Sequence, residues 1–271
     1  ILSYAVIEYA SGINLWSLSN ANSVSIINNT IRYNSYAGIS CIGSNNQVIK
    51  NNIIKYNGGN AGIYNQNSSP VISNNLICNN TNGISCAASS SPIIINNTIS
   101  NNDGRGISIG SGSALNNPVI KNNIIFNNSI GINAGFAPSA LEYNCFWQNN
   151  NNSDGNNMPT GFGSLLTTNT NGSACDIYFN IFSNPYFVDE ANGDFHISNY
   201  SPCIGAGTNM DLIATDMDGN PRPNPSGSNP DIGSYENAFG SPIHLSQIHI
   251  SNSGSNVLGN GSEDSPFSTI Q

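Results

Sequence analysis

From Val24 to Ile132 the apolar and polar positions repeat as one phrase, Ile-x-Asn-Asn-x-Ile-x-x-Asn, followed after a few residues by Gly-Ile. The copies run from Ile26 to Asn34 with Gly38-Ile39, Ile49 to Asn57 with Gly62-Ile63, and Ile72 to Asn80 with Gly83-Ile84. Two more run from Ile94 to Asn102 with Gly106-Ile107 and from Ile120 to Asn128 with Gly131-Ile132. The Asn-Asn pairs begin at Asn28, Asn51, Asn74, Asn96 and Asn122, so they are 23, 23, 22 and 26 residues apart. A period of this size predicts a solenoid, because a single repeat cannot bury its own apolar face and must stack on its neighbours.

Aligning the copies produces columns. Ile26, Ile49, Ile72, Ile94 and Ile120 fill one; Ile31, Ile54, Ile77, Ile99 and Ile125 fill a second; Ile39, Ile63, Ile84, Ile107 and Ile132 fill a third. Repeated β-branched residues suit parallel strands stacked over a continuous core. The segments between Asn and Gly punctuation are too short for helices, and both residues are poor helix formers. Three short strands per turn of about 23 residues predict an all-β fold, a right-handed parallel β-helix with coils ~4.8 Å apart. The Asn-Asn pair reads as its corner: Asn tolerates the left-handed backbone of a sharp bend, and stacked amides can bond to the coils on either side. A degenerate coil precedes the repeats, with Val6-Ile7-Glu8-Tyr9 aligned on Thr30-Ile31-Arg32-Tyr33, and another follows in which Phe146 takes the Ile125 column.

These features divide the chain into β-helix coils over 1–148, a polar loop over 149–163, a C-terminal capping region over 164–237 that closes the end of the rod, and a tail over 238–271. An atypical cap is expected because the last coil of a solenoid otherwise presents an open strand edge.

Composition narrows the function. Only 8% of residues are charged and the formal net charge is −9, with six basic residues scattered along the chain. That balance argues against nucleic acid and anionic membranes, which select Lys/Arg patches. No apolar run approaches the ~20 residues of a membrane helix. The first residues, Ile1 to Tyr9, have no basic segment and contain Glu8, so they do not read as a signal peptide.

Two stretches carry a family resemblance. Asn184-Pro-Tyr-Phe-Val-Asp-Glu-Ala-Asn-Gly-Asp-Phe-His-Ile197 leads into Ser201-Pro-Cys-Ile-Gly-Ala-Gly207, and Thr215-Asp-Met-Asp-Gly-Asn-Pro-Arg222 precedes Pro230-Asp-Ile-Gly-Ser-Tyr-Glu236. This order resembles the end of secreted bacterial right-handed β-helix surface proteins of the pectate-lyase-like superfamily. The departures are Gly205 and Asn184, where such proteins often carry Asp. The tail from Ile248 to Gln271 resembles the segment that begins a β-helix of that superfamily, which implies a tandem array or donation to a neighbouring subunit by strand addition. Either arrangement is head-to-tail, with Ile248, Ile250 and Phe267 as the contact residues, and a head-to-tail contact that does not close gives a filament.

The resemblance also implies what an enzyme of this kind would need: clustered carboxylates on the rod, with Ca2+ and a Lys or Arg base in lyases, or a pair of acids in hydrolases. Between Ile1 and Leu141 the acids are Glu8 and Asp103 alone, four coils apart, so no catalytic residue is assigned. Glu8, Arg32 and Lys55 share one column, which reads as an exposed ion ladder, or with Arg32 or Lys55 as a lyase base. Beside it Tyr9, Tyr33 and Tyr56 share another, which reads as ring stacking or as a sugar-binding platform. Asp216, Asp218 and Asn220, with Asp231 downstream, have oxygen spacing that admits Ca2+, although the closing bidentate Glu of a calcium loop is missing and a turn held by Asx hydrogen bonds gives the same pattern. No other cofactor is indicated.

Cys41 and Cys86 fall in one inward column but two coils, ~9.6 Å, apart, beyond the ~7 Å limit for a disulfide. Cys145, Cys175 and Cys203 lie in or near the cap, where two of them suit a disulfide in an oxidising compartment, the pair left open. His196, His244 and His249 show no convergent partners in the sequence and read as ordinary strand residues. The expectation is a non-catalytic, extracellular or cell-surface β-helix unit, a subunit or repeat of a filament, stalk or adhesin whose partners are copies of itself. The alternative is a polysaccharide lyase, hydrolase or carbohydrate-binding module.

Overall fold

In the computed structural model the chain describes residues 1–17, 23–110, 116–210, 213–243, 250–256 and 267–268. Three parallel sheets of seven strands each run the length of a rod. The first sheet starts at Leu2–Ser3 and ends at Ala140–Glu142, the second runs from Val6–Glu8 to Cys145–Trp147, and the third from Ile13–Trp16 to Asn151–Asp154. Successive strands of one sheet come from successive coils, in the register the columns predict: Ile26 with Ile49, Ile31 with Ile54 and Ile39 with Ile63. All three isoleucine columns are sealed from solvent and form a single core, in which each fully buried Ile contributes roughly 2–3 kcal/mol.

Both corners next to the second sheet use the same two-residue device. The first residue takes the left-handed conformation, with φ of 59° at Asn28, 56° at Asn51, 52° at Asn74, 54° at Asn96 and 56° at Asn122. The second residue turns inward and stacks. Asn29, Asn52, Asn75, Asn97, Asn123, Asn144 and Asn180 form one amide ladder, each donating its backbone N–H and Nδ2 to the Oδ1 of the next at 2.9–3.1 Å. Asn34, Asn57, Asn80, Asn102, Asn128 and Asn149 form a second. The corner between the second and third sheets carries the Gly of Gly-Ile. At Gly83 a Cβ would stand 2.4 Å from the Gly106 carbonyl oxygen and 2.6 Å from Ile99 Cγ2, so only glycine fits.

Two boundaries differ from the sequence reading. The coils do not stop at Gln148, because Asn151–Asp154, expected within a polar loop, is the last strand of the third sheet and pairs with Ile130–Ala134. The strand has no isoleucine, so its pairing is carried by backbone groups and the Asn133–Asp154 side-chain contact and leaves no hydrophobic signature. Nor does all of 164–237 close the end of the rod. Phe162 and Phe182 pack on Phe146 at 5.2 and 5.6 Å and plug the core, and Ile181 pairs with Cys145. The chain then turns back, and residues 187–210 and 213–236 form a strap along the outer face of the second sheet. Ile124, Phe126 and Cys145, which point outward from that sheet, are buried beneath Ile197, Cys203, Ile204 and Ile232.

The left-handed asparagines of the first corner hold this strap. Asn74 Nδ2 donates to the Thr215 carbonyl at 2.6 Å, Asn96 Nδ2 to that of Asp231 at 3.4 Å, and Asn122 Nδ2 to that of Thr208 at 2.8 Å. Thr98 Oγ1 and Ser234 Oγ lie 2.8 Å apart. One Asn of each pair thus bends the chain, and in the pairs beginning at Asn74, Asn96 and Asn122 also clamps the strap, while the other bonds coil to coil.

Candidate functional site

Two regions carry side chains that could do chemistry or bind: the exposed corner between the second and third sheets, and the strap.

At the corner, Tyr9, Tyr33 and Tyr56 occupy the left-handed position, with φ of 54°, 55° and 57°. Tyr9 and Tyr33 stack at 5.5 Å and 11°, Tyr33 and Tyr56 at 5.2 Å and 5°. Each such pair contributes about 0.5–1.5 kcal/mol, which offsets the strain of a bulky residue at positive φ. The column predicted for a sugar platform therefore exists, but the rings turn their faces to one another. Tyr33 has a neighbour on both sides and offers solvent its edge and hydroxyl. Below the tyrosines the same column continues as Asn79, Asn101, Asn127 and Gln148, each again at positive φ. Here Asn101, Asn102, Asp103, Asn127, Asn128, Ser129 and Asn150 line an open depression of about 280 Å³ with a mainly polar wall.

The charged column beside it is an ion ladder in part. Arg32 Nε donates to Glu8 Oε2 at 2.6 Å, and that hydrogen bond, with the carboxylate's charge, raises the guanidinium above its ordinary value. Arg32 is thereby held as a cation, the opposite of what a proton-abstracting base requires. Its guanidinium lies 5.5 Å from the Tyr33 ring centre, and the Lys55 ammonium lies 5.7 Å from that of Tyr56. Both are cation–π contacts.

The four oxygen-bearing residues considered for Ca2+ are not brought together as a donor set. Asp216 is fully buried and its oxygens face N–H donors: Oδ1 accepts from Asp218 N and Asn220 N, Oδ2 from Asn220 Nδ2 and Glu236 N. This is the Asx-held turn of the two readings. Asp218 turns to His196. Asp231 accepts from Gly205 N at 2.7 Å and from Asn237 N at 2.6 Å. Among the described residues no three His, Cys, Asp or Glu side chains converge to hold a metal ion.

Around Asp231 lies a buried charge network that sequence reasoning missed. Arg222 Nη1 meets Glu236 Oε1 at 2.8 Å with both side chains withdrawn from solvent, and Arg222 also donates to the carbonyls of Asp231 and Gly233. Glu236 in turn accepts from Asp231 N and Asn224 N. Burial, reinforced by the charge of Glu236, pushes the Asp231 carboxyl up to about 8 against the pull of its N–H donors and Arg222. The spacing of Arg222 and Glu236 about the Pro230-to-Tyr235 stretch was the available signal.

His196 is a second correction. It lies in the strand Asp194–Ile197, as expected, but it does have convergent partners: Nδ1 is 2.5 Å from Asp194 Oδ1 and Nε2 is 2.7 Å from Asp218 Oδ2. The ring packs on Tyr235 at 4.0 Å. Burial lowers the imidazole's affinity for a proton, but the hydrogen bonds to Asp218 and Asp194 outweigh it and raise the group overall. Asp218 is 22 residues away in the sequence, so only the strap's fold makes the contact visible.

His244, His249 and Ile248 lie outside the described residues. Ile250 and Phe267 pair with each other in a short parallel bridge, Ser251 N donating to the Phe267 carbonyl at 2.9 Å. No helix among the described residues is long and apolar enough to cross a membrane.

Parallel strands stacked on three isoleucine columns, with amide ladders at the corners, define a β-solenoid protein. The chain belongs to the right-handed β-helix family: the family model described as "Right handed beta helix region" matches residues 9–157, more than half of the 271 residues. Among solved structures the chain is similar to that of pectate lyase Pel9A, with 15% identity, a TM-score of 0.42, and coverage of 83% of this chain and 69% of that one. No curated protein matches the chain.

Proposed function

We propose that this protein is a structural element, a stiff β-helical unit of a stalk, filament or adhesin at the cell surface or outside the cell, joined end to end to others of its kind. The observation that carries the reading is the pair of unbroken asparagine ladders, from Asn29 to Asn180 and from Asn34 to Asn149. They commit the interior of two corners to coil-to-coil bonding and leave an axis that resists stretch and bend. The parallel bridge between Ile250 and Phe267 supports end-to-end joining, as the source of a strand that adds in parallel register to a neighbouring β-helix.

Electron microscopy and light scattering of the protein with and without residues 243–271 test the reading. End-to-end assemblies that disappear on deletion support it; assemblies that persist, or an undeleted chain that stays monomeric at all concentrations, overturn the joining.

A second reading has one specific observation behind it, the polar depression around Asn101, Asp103, Asn127 and Ser129 in line with the tyrosine column. Amides and hydroxyls at coil spacing suit a glycan lying along the corner, a carbohydrate-binding role. Titration with a glycan panel, read by binding to wild type and to Asn127→Ala, separates the two readings. Turnover of any polysaccharide by wild type would replace both with an enzyme.

A further inference from the structure

All six cysteines are buried free thiols, and three of them gather where the strap meets the last coils. Cys145 stands on the second sheet's final strand with its side chain outward, Cys175 lies in the segment Ala174–Cys175, and Cys203 lies in the strap. Sequence spacing leaves the pairing open. The fold narrows it.

Ile181 is flanked on one side by Cys145, in a parallel bridge, and on the other by Cys175, in an antiparallel one. Two ladder steps put the Cys145 and Cys175 backbones ~9.6 Å apart, beyond the ~7 Å a disulfide spans. Cys203 approaches from the third direction, over the outer face of the sheet. Cys203 and Cys145 belong to one buried cluster, their side chains close enough to interact electrostatically, and both residues are fully shielded from solvent. The Cys203 backbone is fixed there by three bonds: its carbonyl accepts from Ile232 N at 3.0 Å and from Ala206 N at 3.4 Å, and its own N–H donates to Ser201 Oγ at 3.2 Å. Cys145 is fixed by the rod itself, through its N–H to the Asn123 carbonyl at 2.9 Å, and its thiol donates to the Ser183 carbonyl at 3.3 Å.

We propose that Cys145 and Cys203 are a disulfide-forming pair that rivets the strap to the rod. The reaction is thiol–disulfide exchange with a small-molecule disulfide. One cysteine, as thiolate, attacks the small disulfide and expels one small thiol. The second cysteine then attacks the mixed disulfide and expels the other. One protein S–S bond forms, one small-molecule S–S bond breaks, and the two protons and two electrons leave with the two small thiols. Both sulfurs are shielded once the strap is down, so the bond closes as the strap docks during folding, and afterwards it is protected from reductants. Cys41, Cys78 and Cys86 take no part, because each is sealed beneath other parts of the molecule, and burial holds Cys41 and Cys86 up to about 12.

The test is refolding from urea with oxidised and reduced glutathione, followed by a maleimide mass tag in denaturant. The expected product carries four taggable thiols against six after refolding in reductant. Lys121 and Arg222 leave no tryptic site between the two cysteines, so pepsin digestion and mass spectrometry locate the bridge. Cys175→Ser should still lose two thiols on oxidation, from five to three, whereas Cys145→Ser and Cys203→Ser should lose none. Should either serine variant fail to fold, Cys145→Ala or Cys203→Ala, which remove no packing atoms beyond the sulfur, serve instead. Reductant should lower the urea midpoint of the oxidised wild type and leave those single variants unmoved. Six free thiols after oxidative refolding, or a bridge that contains Cys175, would overturn the proposal.

Discussion

Asn75 Oδ1 accepts both the backbone N–H and the side-chain Nδ2 of Asn52, at 2.9 and 3.0 Å, so one buried oxygen ties two groups of the preceding coil. Asn75 Nδ2 meanwhile donates to the carbonyls of Ile49 and Ser73 and to Asn97 Oδ1. Replacing Asn75 with Ala strands several buried partners at once. The expected loss is on the order of 2–4 kcal/mol in urea unfolding. A loss below ~1 kcal/mol would show that the ladder is ornamental to stability.

Asn65 offers the reverse case. It sits inside the core in the column between Cys41 and Cys86, fully buried, and neither of its amide atoms makes an ordinary hydrogen bond. The Cys86 thiol beside it is a weak partner. Asn65→Cys or Asn65→Val should raise stability by about 1 kcal/mol, because the cost of an unpaired buried amide disappears. A destabilised variant, measured as a lower urea midpoint, would point to a water held there.

Gly83→Ala and Gly58→Ala should separate cleanly. At Gly83 the new methyl meets a backbone oxygen at 2.4 Å and cannot displace it, so a loss of about 2 kcal/mol or more is expected. At Gly58 only the Asn34 carbonyl oxygen comes within reach, at 3.8 Å, so the change should stay within ~0.5 kcal/mol. Thermal melts of the two single variants decide it.

In the strap, Arg222→Met leaves Glu236 buried without its counter-charge and should cost roughly 3–5 kcal/mol. Adding Glu236→Gln to that variant removes the stranded charge and should recover part of the loss, a non-additivity that a double-mutant cycle reads directly.

Stability should fall as pH rises from about 5 to 8. The folded state raises His196, so its contribution is complete below the ordinary imidazole value of ~6.5 and is lost as pH climbs through the raised one. Asp231 is pushed up to about 8, so the folded state is penalised increasingly from the ordinary carboxyl value of ~3.9 up to that point. Asp194 is lowered by the backbone and side-chain hydrogen bonds of His196, which outweigh its burial, so its contribution holds above ~3.9 and vanishes only as pH drops further. Urea midpoints at pH 5, 6.5 and 8 test the trend. His196→Gln should flatten the upper part by a few tenths of a kcal/mol, the scale of a half-exposed pair. A pH-independent midpoint would contradict both assignments.

Much of the rod was legible because its chemistry is periodic. Ile54 and Asn52 recur in register with Ile77 and Asn75, and repetition converts weak β propensity into a firm column. The inward Cys41–Asn65–Cys86 column and the stacking of Tyr9, Tyr33 and Tyr56 followed from the same alignment. The strand Asn151–Asp154 escaped because it has the backbone pairing of its column without the isoleucine. The strap escaped for a different reason. Its contacts, Asn74 to Thr215 and His196 to Asp218, join residues whose separation follows no period, so nothing local announces them. The Asn-Asn pair was read as a turn and a ladder, which it is, but clamping the strap is a third task that falls only on Asn74, Asn96 and Asn122.

The asparagine ladder has a direction. From Asn29 to Asn144 every side chain gives Nδ2 to the Oδ1 of the later coil as well as to a backbone carbonyl of the earlier one, whereas Oδ1 accepts only from the earlier coil, and the row ends where Asn180 Nδ2 donates to the buried side chain of Asp176 at 3.2–3.3 Å. Aligned dipoles of this kind add along an axis and polarise one another. The row of Oδ1 acceptors thus has a sense along the axis, from Asn29 Oδ1, which accepts the N–H of Ala5 at 2.9 Å, to Asn180, whose Nδ2 is taken by Asp176. Each coil thus presents amide oxygen to the coil before it and an amide donor to the coil after it, which gives the stack a built-in sense of forward and back.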